Sequence, residues 1–208
     1  MKFKITWILI RIGFVFWAAW VKFYQAMELS VFRRRFSDLE DSYSSLTSSV
    51  KLKENNIRFV WSTITNKLSW AADKWYMGFD AISDPRVFTY RTTGDCDDFA
   101  NLALDILPNM IFYHGDAYYK DGFYMMNAGL FDIIASWFTK AKLPAGHAIA
   151  VWRTCSTDAK LKFIAFSNDE CWTFNSPVEF ANMMKTQGYT ILLKMTKQYK
   201  FTSLEQVL

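Results

Sequence analysis

Two segments in the second half of the chain constrain its fold more than any other feature of the sequence. The first is HAIAVWR at residues 147–153, and the second is KLKFIAF at residues 160–166. Both are rich in β-branched and aromatic residues and alternate well enough to indicate β-strands. Because a turn at 156–158 separates them, we expect the two strands to form an antiparallel hairpin.

Helical spacing dominates the sequence before this hairpin. Apolar residues recur every three to four positions from Ile57 to Trp75, and Asp84-Pro85 then indicates a loop. A second helix should begin at Thr93-Gly94-Asp95, with Thr93 or Asp95 as its cap, and end at Pro108 after about Leu107. Its predicted core positions are Phe99, Leu102, Ala103, Ile106 and Leu107.

The remaining elements complete a mixed fold. A short helix is expected at Leu130 to Lys140, another from Pro177 to about Thr186, and a strand from Tyr189 to Met195. Helices therefore come first and most strands later, an order typical of the α+β class. The intervening segment 110–145 is long and aromatic, and we interpret it as a substrate-binding insertion or a lid.

The N-terminal segment 5–24, ITWILIRIGFVFWAAWVKFY, is hydrophobic and about as long as one bilayer crossing. Its longest uncharged run, Ile12 to Val21, is only ten residues, and Arg11 is costly within a membrane. Two alternatives stay open: a membrane-anchoring helix, or an amphipathic or core helix that lies against the domain.

A polar stretch follows this segment. Residues 37–56 are serine-rich and charged, which predicts a stalk or a solvated helix rather than core. We therefore expect an N-terminal hydrophobic helix with a polar linker over 1–56, and a catalytic domain over 57–208.

Charge and cysteine content argue against several functional classes. The net charge of the chain is +4, of which residues 1–35 alone supply +6, so the remainder carries about −2. Nucleic acid is therefore a poor candidate partner, because phosphate-backbone binding needs excess positive charge.

The three cysteines form no C-x-x-C pair, which indicates neither a disulfide framework nor a zinc site and favours a reducing compartment. We expect no cofactor and no metal.

The sequence TTGDCDDFA at 92–100 contains the candidate nucleophile, Cys96. A thiol at a helix N-terminus lies where unpaired N–H groups and the helix dipole favour negative charge. Gly94 would let the backbone turn tightly and leave room beside the sulfur. The N–H of Cys96 could also stabilise an oxyanion on the attacked carbonyl.

The candidate base is His147, which begins the first strand of the hairpin after Gly146. The end of the second strand would bring Asn168 and Asp169 level with it, since the strands are antiparallel. Alternation lets only one of these two side chains face the imidazole. Either side chain could therefore orient the ring.

The motifs TTGDCDDFA, GHAIAVW at 146–152 and FSND at 166–169 resemble, in order and spacing, those of transglutaminase-like cysteine proteinases. The resemblance covers roughly residues 57–197. It implies a papain/transglutaminase-like core, in which the nucleophile helix packs on an antiparallel sheet, and a triad of Cys96, His147 and Asn168.

The expected activity is thiol-dependent hydrolysis of amide bonds in a peptide or protein substrate. An amine acceptor in place of water would give a transamidating transglutaminase. A third alternative is a catalytically silent scaffold with the same fold, held at a membrane through residues 5–24.

Other residues that could carry chemistry have ordinary explanations. Asp95, Asp97 and Asp98 are expected to cap and complement a helix start rather than to bind a metal. Cys155 and Cys171 are interpreted as inert residues that flank the hairpin, and His114 as an ordinary loop histidine. Trp61 and Trp75 are candidates for lining the cleft.

Overall fold

The computed structural model describes residues 2–51, 57–71, 82–111, 118–126, 146–155, 161–187, 191–195 and 201–206. Within these ranges the chain forms helices on both sides of an antiparallel sheet, so the predicted α+β class is confirmed. The helices are α1 (Lys2–Arg35), α2 (Leu39–Lys51), α3 (Ile57–Thr65), α4 (Pro85–Arg91), α5 (Cys96–Ile111) and α6 (Pro177–Thr186).

The main sheet contains six strands, and every neighbouring pair in it is antiparallel. Its members are β3 (Tyr118–Met126), β4 (Gly146–Cys155), β5 (Leu161–Phe166), β6 (Cys171–Phe174), β7 (Ile191–Met195) and β8 (Phe201–Gln206). Their spatial order is β6-β5-β4-β3-β7-β8. The predicted pairing of the strands that contain residues 147–153 and 160–166 is confirmed, because β4 and β5 are hydrogen-bonded neighbours.

The two faces of this sheet bury different sets of residues. Ala148, Ala150, Ile164 and Phe166 pack in one core cluster with α3 and α5. Their alternate neighbours Ile149, Val151, Phe163 and Ala165 pack in a second cluster with α6. Alternation along β4 and β5 therefore gives each strand two buried faces, as expected for a sheet covered by helices on both sides.

Helix α5 packs through one apolar stripe. Four of its five predicted core residues, Phe99, Leu102, Ala103 and Ile106, are at most 2% exposed. The side chain of Leu107 lies outside the described residues. The helix also continues to Ile111, so the predicted end at Pro108 is wrong. Proline removes one backbone donor, and here the turn beyond it remains helical despite that loss.

Residues 37–56 were expected to be solvated, and the structure corrects this interpretation within α2. Leu39 is 1% exposed, and Leu46 belongs to the same core cluster as α5. The Tyr43 hydroxyl donates a hydrogen bond to Asp105 on α5, and burial raises the pKa of Tyr43. The serine-rich composition concealed a helix with one apolar face, formed by residues spaced three to four apart.

Two expectations for residues 57–91 are also corrected. The helix predicted to reach Trp75 ends at Thr65, after which a two-residue strand, β1 (Ser69–Trp70), pairs in parallel with β2 (Thr93–Gly94). The loop predicted at Asp84-Pro85 ends at Asp84, and Pro85 already begins α4. Asp84 is the N-cap and accepts a hydrogen bond from the Arg86 N–H, with Pro85 in the first turn, where its missing donor costs nothing.

The central position of β3 bears on the predicted insertion at 110–145. Residues 118–126 form a strand between β4 and β7, so this part of the segment belongs to the sheet. The helix expected at Leu130 to Lys140, the turn at 156–158 and Trp75 lie outside the described residues.

Among the helices that the structure describes, none is long and apolar enough to cross a membrane.

Candidate active site

The site is built around the first residue of α5. Asp95 precedes the helix, and its carboxylate accepts a hydrogen bond from the Asp97 N–H at 3.3 Å, so the predicted capping role of Asp95 is confirmed. Cys96 follows as the first residue of a sixteen-residue helix and is only partly exposed. Its sulfur is therefore carried at the positive end of the helix dipole.

Gly94 has a different role from the one expected. A Cβ atom at this position would lie 2.2 Å from Asp98 Oδ2 and 2.7 Å from Phe88 Cε2. The Asp98 carboxylate cannot easily move, because it accepts a hydrogen bond of 2.7 Å from the Ser83 N–H. The glycine thus makes room for Asp98 and Phe88, and the close approach of β2 to α5 requires it.

The Cys96 sulfur lies against β4, next to His147. The Ala148 N–H donates a hydrogen bond to Cys96 Sγ at 3.4 Å. Because β5 pairs with β4 only from Ala150 onward, the first residues of β4 lack that neighbour, and the start of α5 occupies this edge. The structure therefore places Cys96 against the strand that carries His147, at the residue that follows it, although the two are far apart in sequence.

The imidazole of His147 is held by a serine. His147 Nε2 and Ser167 Oγ are 2.7 Å apart, a normal hydrogen-bond distance. This bond fixes the ring orientation, and Nε2 is the ring nitrogen that the serine engages. Ser167 is 7% exposed, so water competes little for its hydroxyl.

Ser167 is the residue that the sequence reasoning missed. If β5 continued in register, Asn168 and Asp169 would lie opposite Ala148 and His147. Instead, the Ser167 N–H bonds to the Glu170 carbonyl oxygen at 3.0 Å, and the chain turns there into β6. The run Ser-Asn-Asp is typical of turns, and it could have indicated that β5 ends before Asn168.

The backbone of Ser167 is itself fixed by the core. Trp61 on α3 donates a hydrogen bond from Nε1 to the Ser167 carbonyl oxygen at 3.0 Å, and its ring packs edge-on against Phe166. Trp61 is fully buried. Trp61 therefore holds the backbone of Ser167 from within the core and does not line an open cleft.

Asn168, predicted to orient the ring, lies next to Ser167 in the turn. Its Oδ1 is buried and accepts no hydrogen bond from the residues that the structure describes. The side chain hydrogen-bonded to His147 Nε2 is therefore that of Ser167, and the catalytic role of Asn168 stays a prediction. A buried amide oxygen without a donor is unusual, because desolvation without a bond is costly.

Burial controls the charge of His147. The loss of solvent around the ring lowers the pKa of His147, and the negative charge of Asp95 opposes this shift without cancelling it. At neutral pH the imidazole is therefore uncharged and can accept a proton, which is the form required of a general base.

Three carboxylates are close together at the start of α5. One ligand oxygen from each of Asp95, Asp97 and Asp98 lies within 4.8 Å of the other two. Asp95 caps the helix, and Asp98 accepts a hydrogen bond from the Ser83 N–H. An acidic group at a helix N-terminus is expected from the dipole alone, and the cluster does not by itself define a metal site.

Cys171 provides an internal contrast with Cys96. It begins β6 and packs against the same core cluster. Burial raises the pKa of the Cys171 thiol to about 12, with only partial compensation from Arg58. A thiol with such a pKa is a poor nucleophile at neutral pH, in agreement with its predicted inertness. The side chain of Cys155 and residue His114 lie outside the described residues.

Comparison of the chain with protein-family models, with curated proteins and with solved structures finds no match.

Proposed function

We propose that this chain is a thiol-dependent amide hydrolase of the cysteine peptidase, isopeptidase or deamidase type, with Cys96 as nucleophile and His147 as general base and acid. The observation that carries the proposal is the hydrogen bond of 3.4 Å from the Ala148 N–H to Cys96 Sγ. It joins the sulfur to the backbone of the residue that follows His147 in β4. A nucleophile paired with a base, which is in turn oriented by a third group, is the usual arrangement for covalent catalysis.

In the first half-reaction, His147 takes the thiol proton through Nδ1 while Cys96 Sγ attacks the amide carbonyl. Backbone N–H groups at the start of α5 stabilise the oxyanion of the tetrahedral intermediate. The C–N bond then breaks, His147 gives the proton to the departing amine, and a thioester remains on Cys96. Water, deprotonated by the same imidazole, attacks the thioester, which yields the carboxylic acid and restores the thiol.

Ser167 acts as a positioning residue in this scheme. Its bond to His147 Nε2 holds the ring so that Nδ1 serves the reaction. A serine in this position is a departure from the amide or acid expected of the resemblance. The neutral hydroxyl adds no charge to stabilise an imidazolium, which fits a base that rests uncharged.

The papain/transglutaminase-like fold is part of the same proposal. It is supported by a cysteine that opens a helix, a histidine at the start of a strand, and an antiparallel sheet against which that helix packs. The acceptor is proposed to be water. A transamidase would share the first half-reaction and differ in the nucleophile that reaches the thioester.

The proposal is tested by alkylating the full chain with iodoacetamide across a range of pH and following each cysteine by mass spectrometry. Cys96 is expected to react at least about tenfold faster than Cys171 near neutrality, because a base assists its ionisation. His147→Ala and His147→Gln should slow the alkylation of Cys96 itself, whereas His114→Ala should leave the Cys96 rate intact. Equal rates for Cys96, Cys155 and Cys171 would indicate a catalytically silent scaffold.

The role of the third residue is tested by comparing Ser167→Ala, Ser167→Thr and Asn168→Ala in the same assay. Ser167→Ala should slow Cys96 alkylation about tenfold and change its pH profile, while Ser167→Thr restores much of the rate by keeping a hydroxyl. A larger loss for Asn168→Ala than for Ser167→Ala would transfer the orienting role to Asn168.

The acceptor is identified with an activated acyl ester as a general probe. The wild-type chain is expected to form a thioester at Cys96 that hydrolyses, and Cys96→Ser should not form it. Added primary amines should compete weakly with water. Preferential formation of the amide would identify a transamidase.

A further inference from the structure

Helix α1 presents an apolar face that no described part of the chain covers. Six of its side chains are between 41% and 70% exposed: Ile12, Val15, Phe16, Phe23, Met27 and Val31. At 3.6 residues per turn they fall within an arc of about 160° on one side of the helix. A contiguous exposed apolar surface of this kind usually marks a contact site.

The opposite side of α1 is attached to the domain. Val21 is fully buried, and Glu28 is 5% exposed and forms an ion pair with Arg91 on α4. Glu28 also accepts a hydrogen bond from the Asp84 N–H at 3.2 Å. Of these contacts, the burial of Val21 lies within residues 5–24 and would be lost if that segment crossed a membrane, so the geometry favours a helix that keeps one face on the protein.

The charge around the exposed face has a single sign. Lys22, Arg33, Arg34 and Arg35 are exposed, while Glu28, which is the only acid within residues 1–35, is turned into the domain. Arg33 forms an ion pair with Glu40 on α2. The surface that α1 offers to a partner thus combines large apolar side chains with cations and has no exposed acid of its own.

We propose that this face of α1 docks on an anionic lipid surface, with the helix lying parallel to the membrane plane. Phenylalanine, isoleucine and methionine side chains would enter the boundary between headgroups and acyl chains, and the basic residues would contact phosphate and carboxylate headgroups. An acidic protein would satisfy the charges, but six exposed apolar residues along one face fit a lipid boundary better than a polar partner. The docked helix keeps its buried face on the domain, so the site at Cys96 is held near the membrane surface.

The test is co-sedimentation of the full chain with vesicles of phosphatidylcholine alone and of phosphatidylcholine mixed with phosphatidylserine. Binding is expected only to the mixed vesicles, and it should weaken as salt is raised. Lys22→Gln with Arg34→Gln and Arg35→Gln should reduce the binding constant about 100-fold, at roughly fivefold for each charge. Phe16→Gln with Phe23→Gln should reduce it at least about tenfold.

Matched controls come from α6, which carries an exposed apolar residue and an exposed cation away from α1. Val178→Gln with Lys185→Gln should leave vesicle binding unchanged. Since all the substituted residues are exposed, the melting temperatures of the variants should match that of the wild type.

Three outcomes would overturn the proposal. They are no binding to either vesicle, equal binding to vesicles with and without phosphatidylserine, and a dimer in solution that dissociates when Phe16 and Phe23 are replaced. The last result would show that a second copy covers the apolar face.

Discussion

Two buried polar clusters lie near the start of α5, and they differ in how their polar groups are satisfied. The first, the Glu28 cluster, joins Glu28 to Tyr24, Ser83, Asp84 and Arg91, and every oxygen of the Glu28 carboxylate has a partner. It continues into α5 because the Ser83 N–H donates to Asp98 and the Ser83 carbonyl oxygen accepts from Asn101.

The second, the Cys96 cluster, consists of Cys96, His147, Ser167 and Asn168. It holds an imidazole whose pKa is lowered by burial, and the buried Asn168 Oδ1 accepts no bond from the described residues. A buried charge is tolerated only when it is paired, as in the Glu28 cluster. A shifted pKa together with an unused acceptor is instead typical of functional sites.

The largest effect on stability is expected from two substitutions of Glu28, which separate the contribution of its hydrogen bonds from that of its charge. Glu28→Ala should lower the free energy of unfolding by about 3 kcal/mol, because the Asp84 N–H loses its partner in a buried site and Arg91 loses its counter-charge. Glu28→Gln should cost less, since burial already raises the pKa of Glu28 and the amide oxygen can still accept a bond.

Urea unfolding followed by circular dichroism measures both variants. The control is Glu40→Gln, which removes the exposed partner of Arg33 and should cost less than about 1 kcal/mol. If Glu28→Ala were no more costly than Glu40→Gln, the Glu28 cluster would not hold α1 to the domain, and the contrast with the Cys96 cluster would fail.

A smaller effect is expected at the junction between β2 and α5. Gly94→Ala should destabilise the fold by about 2 kcal/mol, because its methyl group overlaps Asp98 Oδ2 and Phe88. Gly13→Ala is the matched control: a Cβ there meets nothing within 4 Å, and alanine should stabilise the helix by up to about 1 kcal/mol.

Thermal melts of the two glycine variants distinguish a packing requirement from a general loss of chain flexibility. Gly94→Ala should also slow alkylation of Cys96, since Asp98 and the start of α5 must shift together. An unchanged melting temperature would mean that α5 can move away from β2 without cost.

The smallest of the three effects concerns His147 and pH. Its pKa in the folded chain lies below the ordinary value of 6.5, so the unfolded chain binds a proton more readily. The stability that this group contributes is fully present above pH 6.5 and is lost as the pH falls through the folded pKa.

The measurement is the pH dependence of unfolding free energy between neutral and mildly acidic pH. His147→Gln should flatten the slope in this window. Asp95→Asn, which keeps a good N-cap but removes the negative charge that opposes the shift, should move the transition to lower pH. A slope that persists in His147→Gln would assign the titration to another group.

Much of the fold followed from local pattern. The hairpin of β4 and β5, the start of α5 at Cys96 and the bounds of α6 could be predicted because each depends on periodicity or on capping residues within a few positions. Features that depend on distant partners were missed. The apolar spacing in α2 was concealed by its serine-rich composition, and the parallel pairing of Ser69–Trp70 with Thr93–Gly94 has no local signal.

The same division holds within the site. Cys96 at a helix start and His147 at a strand start were predicted from the sequence, and the structure places Cys96 against the residue that follows His147. The run Ser-Asn-Asp indicated a turn, but the selection of Ser167 over Asn168 depends on where β5 leaves the sheet. That point is set by the turn into β6 and by the bond from Trp61, which is distant in sequence.

The amino-acid sequence by itself determined where α5 begins, because the capping Asp95 and the acidic residues just after Cys96 are local signals of a helix start. Only the tertiary structure decided which neighbour holds the imidazole and which face of α1 is left exposed. Both outcomes depend on packing between segments far apart in the chain, and the hydrogen bonds and burial that select them exist only once those segments are in contact.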